Sequence, residues 1–292
     1  MRRIFGIKRI WPWPLLFILA FSVFSARLWL NQFFKNKILE LANAAEEMGI
    51  SLNGLHIATF PPAVNLDSIE IPIKDKILTI LRPSLVSGFF PPALHFSAQV
   101  LDGAVQAVAS LEMNFPPRIS RLDFILRNLS LETLFTLTSL KEFATINSGK
   151  IDGNGKFAIA YINSLPNWNA VAGEASLNLN DGGLTLKFPL LKTNDITNIQ
   201  GNINMRINKG SLELSPCKMT AASISFKALG KISSCFYPKN SRLQLNTELR
   251  IPADLINAAL LPERTMAMID QKGLVRTKIS GTLLAPKIYL EN

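Results

Sequence analysis

Histidine and cysteine are almost missing from this chain, with two of each in 292 residues. Two cysteines cannot make a disulfide scaffold or a four-cysteine zinc site. His56 and His95 have no second histidine at metal-ligand spacing. Without a basic partner at motif distance, no serine or cysteine is a credible nucleophile. No paired-carboxylate constellation stands out among the 21 acidic residues. Charge is thin too, at 18% of residues against 48% hydrophobic, which excludes a disordered chain. What charge there is leans basic, with 31 Lys and Arg to 21 Asp and Glu. Such a balance suggests nucleic acid or a membrane surface, and its distribution decides between them.

Five basic residues (Arg2, Arg3, Lys8, Arg9 and Arg27) and no acid lie in residues 1–27. Between them Ile10–Ala26 is uncharged and built on Leu15, Leu16, Phe17, Ile18, Leu19, Phe21, Val23 and Phe24. As a helix it spans about 26 Å, enough for a bilayer core whose ends snorkel. Trp11 and Trp13 mark one edge and Trp29 the other, where indoles favour the headgroup zone. Pro12 and Pro14 fall in the first turn, where a missing N–H costs little. The positive-inside rule then keeps the N terminus in the cytoplasm and sends everything after Arg27 across the membrane. A cleaved signal peptide has the same layout. Cleavage after Ser25 would use Val23 and Ser25 as the small pair, while cleavage after Ala26 meets Phe24 at a small-residue position. Apolar character past Arg27, in Leu28, Trp29, Leu30, Phe33 and Phe34, favours an uncleaved anchor, with Arg27 at its outer end.

Beyond it Phe34, Ile38, Leu41, Ala45 and Met48 recur at helical spacing, and Gly49 ends the pattern. The expected division is a tail over 1–9, a transmembrane helix over 10–30, a helical connector over 31–49 and a β domain over 50–292.

From Gly49 onward the period is two. Ile203, Met205 and Ile207 alternate with Asn202, Asn204 and Arg206; Leu243, Leu245, Leu249 and Ile251 alternate with Gln244, Asn246, Glu248 and Arg250. Similar runs cover 150–161, 173–180, 184–188, 210–214, 223–232, 273–283 and 287–290. Each has one apolar and one polar face, the pattern of antiparallel strands wet on one side. Turn signals separate them at Asp152-Gly153-Asn154-Gly155, Asn180-Asp181-Gly182-Gly183, Asn208-Lys209-Gly210 and Pro238-Lys239-Asn240. Two short helices are expected, over 130–137 and 252–261. Phe-Pro-Pro recurs at residues 60, 90 and 115, and proline pairs belong at strand ends or bends.

The run Gly153-Asn154-Gly155-Lys156-Phe157-Ala158 has dinucleotide-loop spacing, but that fingerprint needs a helix after it, and here a strand follows. As a phosphate loop it fails at Phe157, and as a calcium loop at Lys156 and Asn163. In an oxidising compartment Cys217 and Cys235 have two alternatives: a disulfide across neighbouring strands, or two buried thiols. The basic excess after residue 116 lacks a basic-aromatic array, and nucleic acid lies on the wrong side of the membrane.

Several stretches together resemble the type II secretion system protein N family (GspN), related to AsmA-like envelope proteins. They are the N-terminal anchor, the helix ending at Gly49-Ile50, Phe60-Pro61-Pro62 and Gly149-Lys150-Ile151-Asp152-Gly153. With them go Ser241-Arg242-Leu243-Gln244-Leu245 and the closing Gly281-Thr282-Leu283-Leu284-Ala285-Pro286-Lys287. The resemblance implies a non-enzymatic, single-pass inner-membrane protein with a mainly β periplasmic domain, without cofactor. In the secretion reading it assembles or stabilises the apparatus through other proteins. In the AsmA-like reading a large, curved antiparallel sheet, trough-like or open-barrel-like, holds lipid on an apolar inside. Physics favours the trough in part, because the expected helices are too short to cover an apolar face. Ile203, Met205, Ile207, Leu243, Leu245 and Leu249 are the expected lining.

Overall fold

The computed structural model describes residues 50–291 except 60, 74–75, 90, 113–117, 137–143, 163–164, 188–190, 193, 238, 257–272 and 284, with scattered positions between 32 and 49. The anchor residues Trp11, Trp13, Arg27 and Trp29 lie outside the described residues. Those described between 32 and 47 are helical, as the spacing of apolar residues predicts. Gly49 closes this helix with its N–H on the Glu46 carbonyl. No helix among the described residues is long and apolar enough to cross a membrane.

The rest is dominated by one antiparallel sheet. Its first part comprises β1 (Ser51–Asn53), β2 (His56–Thr59), β3 (Pro62–Asn65), β4 (Ser68–Ile73), β5 (Lys76–Phe89) and β6 (Pro92–Val100). The middle holds β7 (Gly103–Glu112), β8 (Arg118–Ser130), β9 (Ala144–Ala158), β12 (Ala172–Leu186) and β13 (Asp195–Asn208). A separate two-stranded ribbon, β10 (Tyr161–Ile162) with β11 (Leu165–Pro166), sits between β9 and β12. The last part is β14 (Ser211–Ala221), β15 (Ile224–Ser233), β16 (Arg242–Arg250), β17 (Leu274–Gly281) and β18 (Pro286–Glu291). The strand path runs β1-β4-β5-β6-β7-β8-β9-β12-β13-β14-β15-β16-β17-β18, with β3 on β5 and β2 on β3 beside it. From β4 on, each strand of this path pairs with the one made before it, so the sheet is a meander.

Tight turns follow their residues. Lys209 and Gly210 both take positive φ between β13 and β14, as the Asn-Lys-Gly signal requires. Thr59 pairs with Pro62 and Phe89 with Pro92, so the first two Phe-Pro-Pro motifs mark hairpin turns; the third lies outside the described residues.

Two other turn signals are corrected by the structure. Asp152-Gly153-Asn154-Gly155 runs through the middle of β9, paired on both sides. Asn180-Asp181-Gly182-Gly183 is an irregularity inside β12, so the run 173–180 and residues 184–186 of the next belong to one strand. Asp181 takes φ 52° there, and extra residues of this kind kink a strand and strengthen its twist.

The helix expected over 130–137 is Leu131–Thr136, where the Ser130 hydroxyl accepts the Thr133 N–H at 3.1 Å. The helix expected over 252–261 is corrected at Ile256. Among its described residues a 3-10 turn forms at Ala253–Leu255, and Ile256 is extended (φ −76°, ψ 132°) and bridged to Leu191; residues 257–261 lie outside the described set.

Candidate functional site

Following the registers from strand to strand gives the sheet two chemically distinct faces. One row runs Val64–Leu85–Phe96–Ala107–Phe124–Gly155, each residue directly opposite the next. It continues Ala175–Met205–Leu214–Gly230–Leu245–Ile279–Ile288. Every member is apolar or glycine across thirteen strands. Paired residues of an antiparallel sheet share a face, so the neighbouring rows on this side can be read in the same way. Ile203, Met205, Ile207, Leu243, Leu245 and Leu249 all fall on it. The one charged residue that the paired registers place there is Lys76, at the β4–β5 hairpin, opposite Ile73. Its ammonium is turned to the end of the Leu131–Thr136 helix, where it donates to the Thr136 carbonyl.

The opposite face is wet and ordered by charge. Asp123, Lys156, Glu174, Arg206, Glu213 and Lys231 sit opposite one another in turn, alternating in sign over six adjacent strands. A second, shorter ladder, Lys227–Glu248–Arg276, alternates likewise. Lys231 lies 3.5 Å from Glu213, and Arg276 lies 3.5 Å from Glu248. The two histidines belong to this face: His56 on β2 and His95 on β6 are both exposed.

The apolar face is only half-buried at its large side chains. Ile203, Met205, Ile207, Leu245 and Leu249 are intermediate in exposure, and only Leu243 of the expected lining is fully buried. No second layer of strands lies over it among the described residues. Small residues fill its middle instead: Ala98, Ala109, Ala175 and Ala221 are all buried. Gly155 lies directly under the Phe124 ring, where an added Cβ would stand 2.4 Å from Cε1. Gly153 lies under Leu177 in the same way, at 2.5 Å from Cδ2. Phe124 stacks on Phe157 with ring centres 5.9 Å apart. The glycines read as turn residues are therefore floor positions over which neighbouring side chains lie flat.

At one end, two connections meet. Leu191, from the loop after β12, bridges Ile256, after β16, and both are buried. The Lys192 N–H reinforces this by donating to the Leu255 carbonyl at 2.9 Å. At the other end, the stretches beginning at Ser241 and Gly281 are tied together. Ser241 is almost fully buried, and its hydroxyl accepts the Leu283 N–H at 2.8 Å. Gly281 takes φ +91°, and a Cβ there would collide with the Ala285 carbonyl, so only glycine starts this turn without strain.

Of the two alternatives for Cys217 and Cys235, the structure has the free thiols. Cys217 faces Ala228 on the apolar side, six residues along β14 from Ser211. Cys235 donates its N–H to Gly210, next to Ser211. At about 3.3 Å per residue they stand some 20 Å apart, far beyond bridging distance. Burial pushes both thiols above their ordinary value, with the N–H groups of Cys235 and Phe236 pulling the Cys235 thiol back in part. Among the described residues no group of three His, Cys, Asp or Glu is placed to hold a metal ion.

The residues missed from sequence lie in the first half: Leu85, Phe96 and Phe124 extend the apolar face as fully as the six expected ones. Alternation was there to find them, but the wet side of these strands carries Ile77, Leu81, Val86, Val108 and Ile125, which blurs the period. No family model, curated protein or solved structure matches this chain.

Proposed function

We propose that this chain is a non-enzymatic envelope protein, held in the inner membrane by residues 10–30, whose periplasmic sheet curves around lipid acyl chains. The uninterrupted apolar row from Val64 to Ile288 carries this reading. A face that wide must be covered by protein, by curvature or by ligand. Alanines and glycines along its middle suit the crowded inside of a curve, and bulges such as those in β9, β12 and β14 bend strands. Acyl chains are the occupant that a half-exposed surface with a single charge, at Lys76 on its rim, accepts with little desolvation of polar groups. The apolar run Ile10–Ala26 would tether the sheet within reach of a lipid source.

A second reading, an assembly or stabilising component of a type II secretion apparatus, rests on the stretches that resemble protein N. Two of them, around Ser241 and Gly281, meet in one local unit. In this reading other secretion proteins, not lipid, cover the apolar face.

Native mass spectrometry of the full chain, extracted in mild detergent, separates the two. The lipid reading expects co-purified phospholipid that is lost when Ile203, Met205 and Ile207 become Asn, Gln and Asn. A single Met205→Gln variant with unchanged circular dichroism guards against simple unfolding. Lipid-free protein that co-purifies with secretion components overturns the lipid reading and leaves the second.

A further inference from the structure

In an antiparallel meander the connections alternate between two ends, so those after β9, β13, β15 and β17 lie together. Contacts join them in series. Trp168 packs on Phe236 with ring centres 5.6 Å apart, the Cys235 N–H donates to the Gly210 carbonyl at 2.9 Å, and Ser241 holds Leu283. Their charge is one-sided. In sequence these four connections carry Lys209 and Lys239 and no Asp or Glu. At the other end Asp102, Glu132 and Asp254 all stand exposed between strands. Large apolar groups lie open beside the lysines: Ile162 is 59% exposed, Trp168 46%, Tyr237 44% and Leu283 40%. The wet face also changes character here. Along its ladders each cation stands next to an acid, but where β16 and β17 reach this end the alternation stops. An open cleft of about 750 Å³ is lined by Lys239, Arg242 and Lys278, with Ser280 and Thr282 beside them and no acid in its wall. All three cations are exposed, and none belongs to an ion pair among the described residues. Like charges gathered without a counter-charge raise the local potential, which an anion relieves.

We propose that this end of the sheet docks on the surface of an anionic phospholipid bilayer, with headgroup phosphates in the cleft. Arg242 offers a fork that matches two phosphate oxygens, while Lys239 and Lys278 act as point charges. The Thr282 hydroxyl accepts the Ala285 N–H at 3.1 Å, which leaves its own proton for a phosphate oxygen. Trp168 and Tyr237 each combine a broad apolar ring with a polar tip, the character that favours the headgroup zone. Ile162 and Leu283 decide between anionic partners. A nucleic acid or a polyacidic chain would satisfy the cations and leave these two side chains in water. A bilayer covers both, because acyl chains begin just below its phosphates. This docking does not depend on what fills the apolar face.

The test holds the full chain in nanodiscs of zwitterionic phosphatidylcholine and mixes it with sucrose-loaded vesicles. Trp11→Phe, Trp13→Phe and Trp29→Phe leave Trp168 as the one indole of the chain. Vesicles of brominated phosphatidylglycerol are expected to sediment the protein and quench Trp168, whereas brominated phosphatidylcholine does neither. Binding should weaken as salt is raised. Arg242→Glu combined with Lys278→Glu is expected to weaken sedimentation at least about 25-fold, at roughly fivefold for each cation near an anionic surface. Arg242→Lys combined with Lys278→Arg keeps the charge and should keep most of the binding, which separates lost attraction from a damaged fold. No sedimentation, equal binding to both lipids, sedimentation without quenching of Trp168, indifference to the charge-reversed pair, or polyglutamate bound as tightly as the vesicles would overturn the docking.

Discussion

Gly155 shows how much of the apolar face is decided by one missing side chain. Its absent Cβ leaves room for the Phe124 ring, which in turn stacks on Phe157. Gly155→Val is expected to push Phe124 off the face and cost about 1–3 kcal/mol, as overpacked sites do. Urea unfolding followed by circular dichroism measures this, and an unchanged midpoint would show that the ring is not held there. The two thiols make the opposite point. Cys217 is one more small apolar filler beside Ala228, and its raised pKa keeps it protonated and unreactive at neutral pH.

At the scale of strands and turns, the two faces contribute unequally. Glu248 and Arg276 are about half exposed and 3.5 Å apart, so their pairing is screened by water. Glu248→Ala is expected to change stability by less than about 1 kcal/mol. A larger loss in the same urea experiment would mean that the charge ladder acts as a network. Strand identity was legible in the second half of the chain because one side there is largely polar, as at Asn202, Asn204 and Arg206. It was less so before residue 130, where Val86, Val108 and Ile125 put apolar groups on the wet side. The turn signals misled for a physical reason. Glycine beside Asn or Asp marks a turn by backbone freedom, yet Gly153 and Gly155 are there for the space they leave. No local pattern separates the two uses; the neighbour that fills the space, Phe124 or Leu177, is some twenty to thirty residues away. Ile256 posed a related difficulty, because its bridge to Leu191 outweighs the helical spacing around it.

For the whole molecule, length matters. At about 4.8 Å per strand the path from β1 to β18 extends roughly 60 Å. One leaflet of a bilayer core is about 15 Å thick, so a single phospholipid would occupy only part of the apolar face. Native mass spectra are therefore expected to show two or more phospholipids per chain, and a strict one-to-one complex would confine the site to a section of the sheet. The meander has a separate consequence, for how such a sheet is made. Because nearly every strand bonds to the one synthesised just before it, few contacts wait for distant sequence, and contact order stays low for so large a β structure. A chain synthesised from its N terminus can add hairpin to hairpin as it appears. At every stage its growing edge is the strand most recently made.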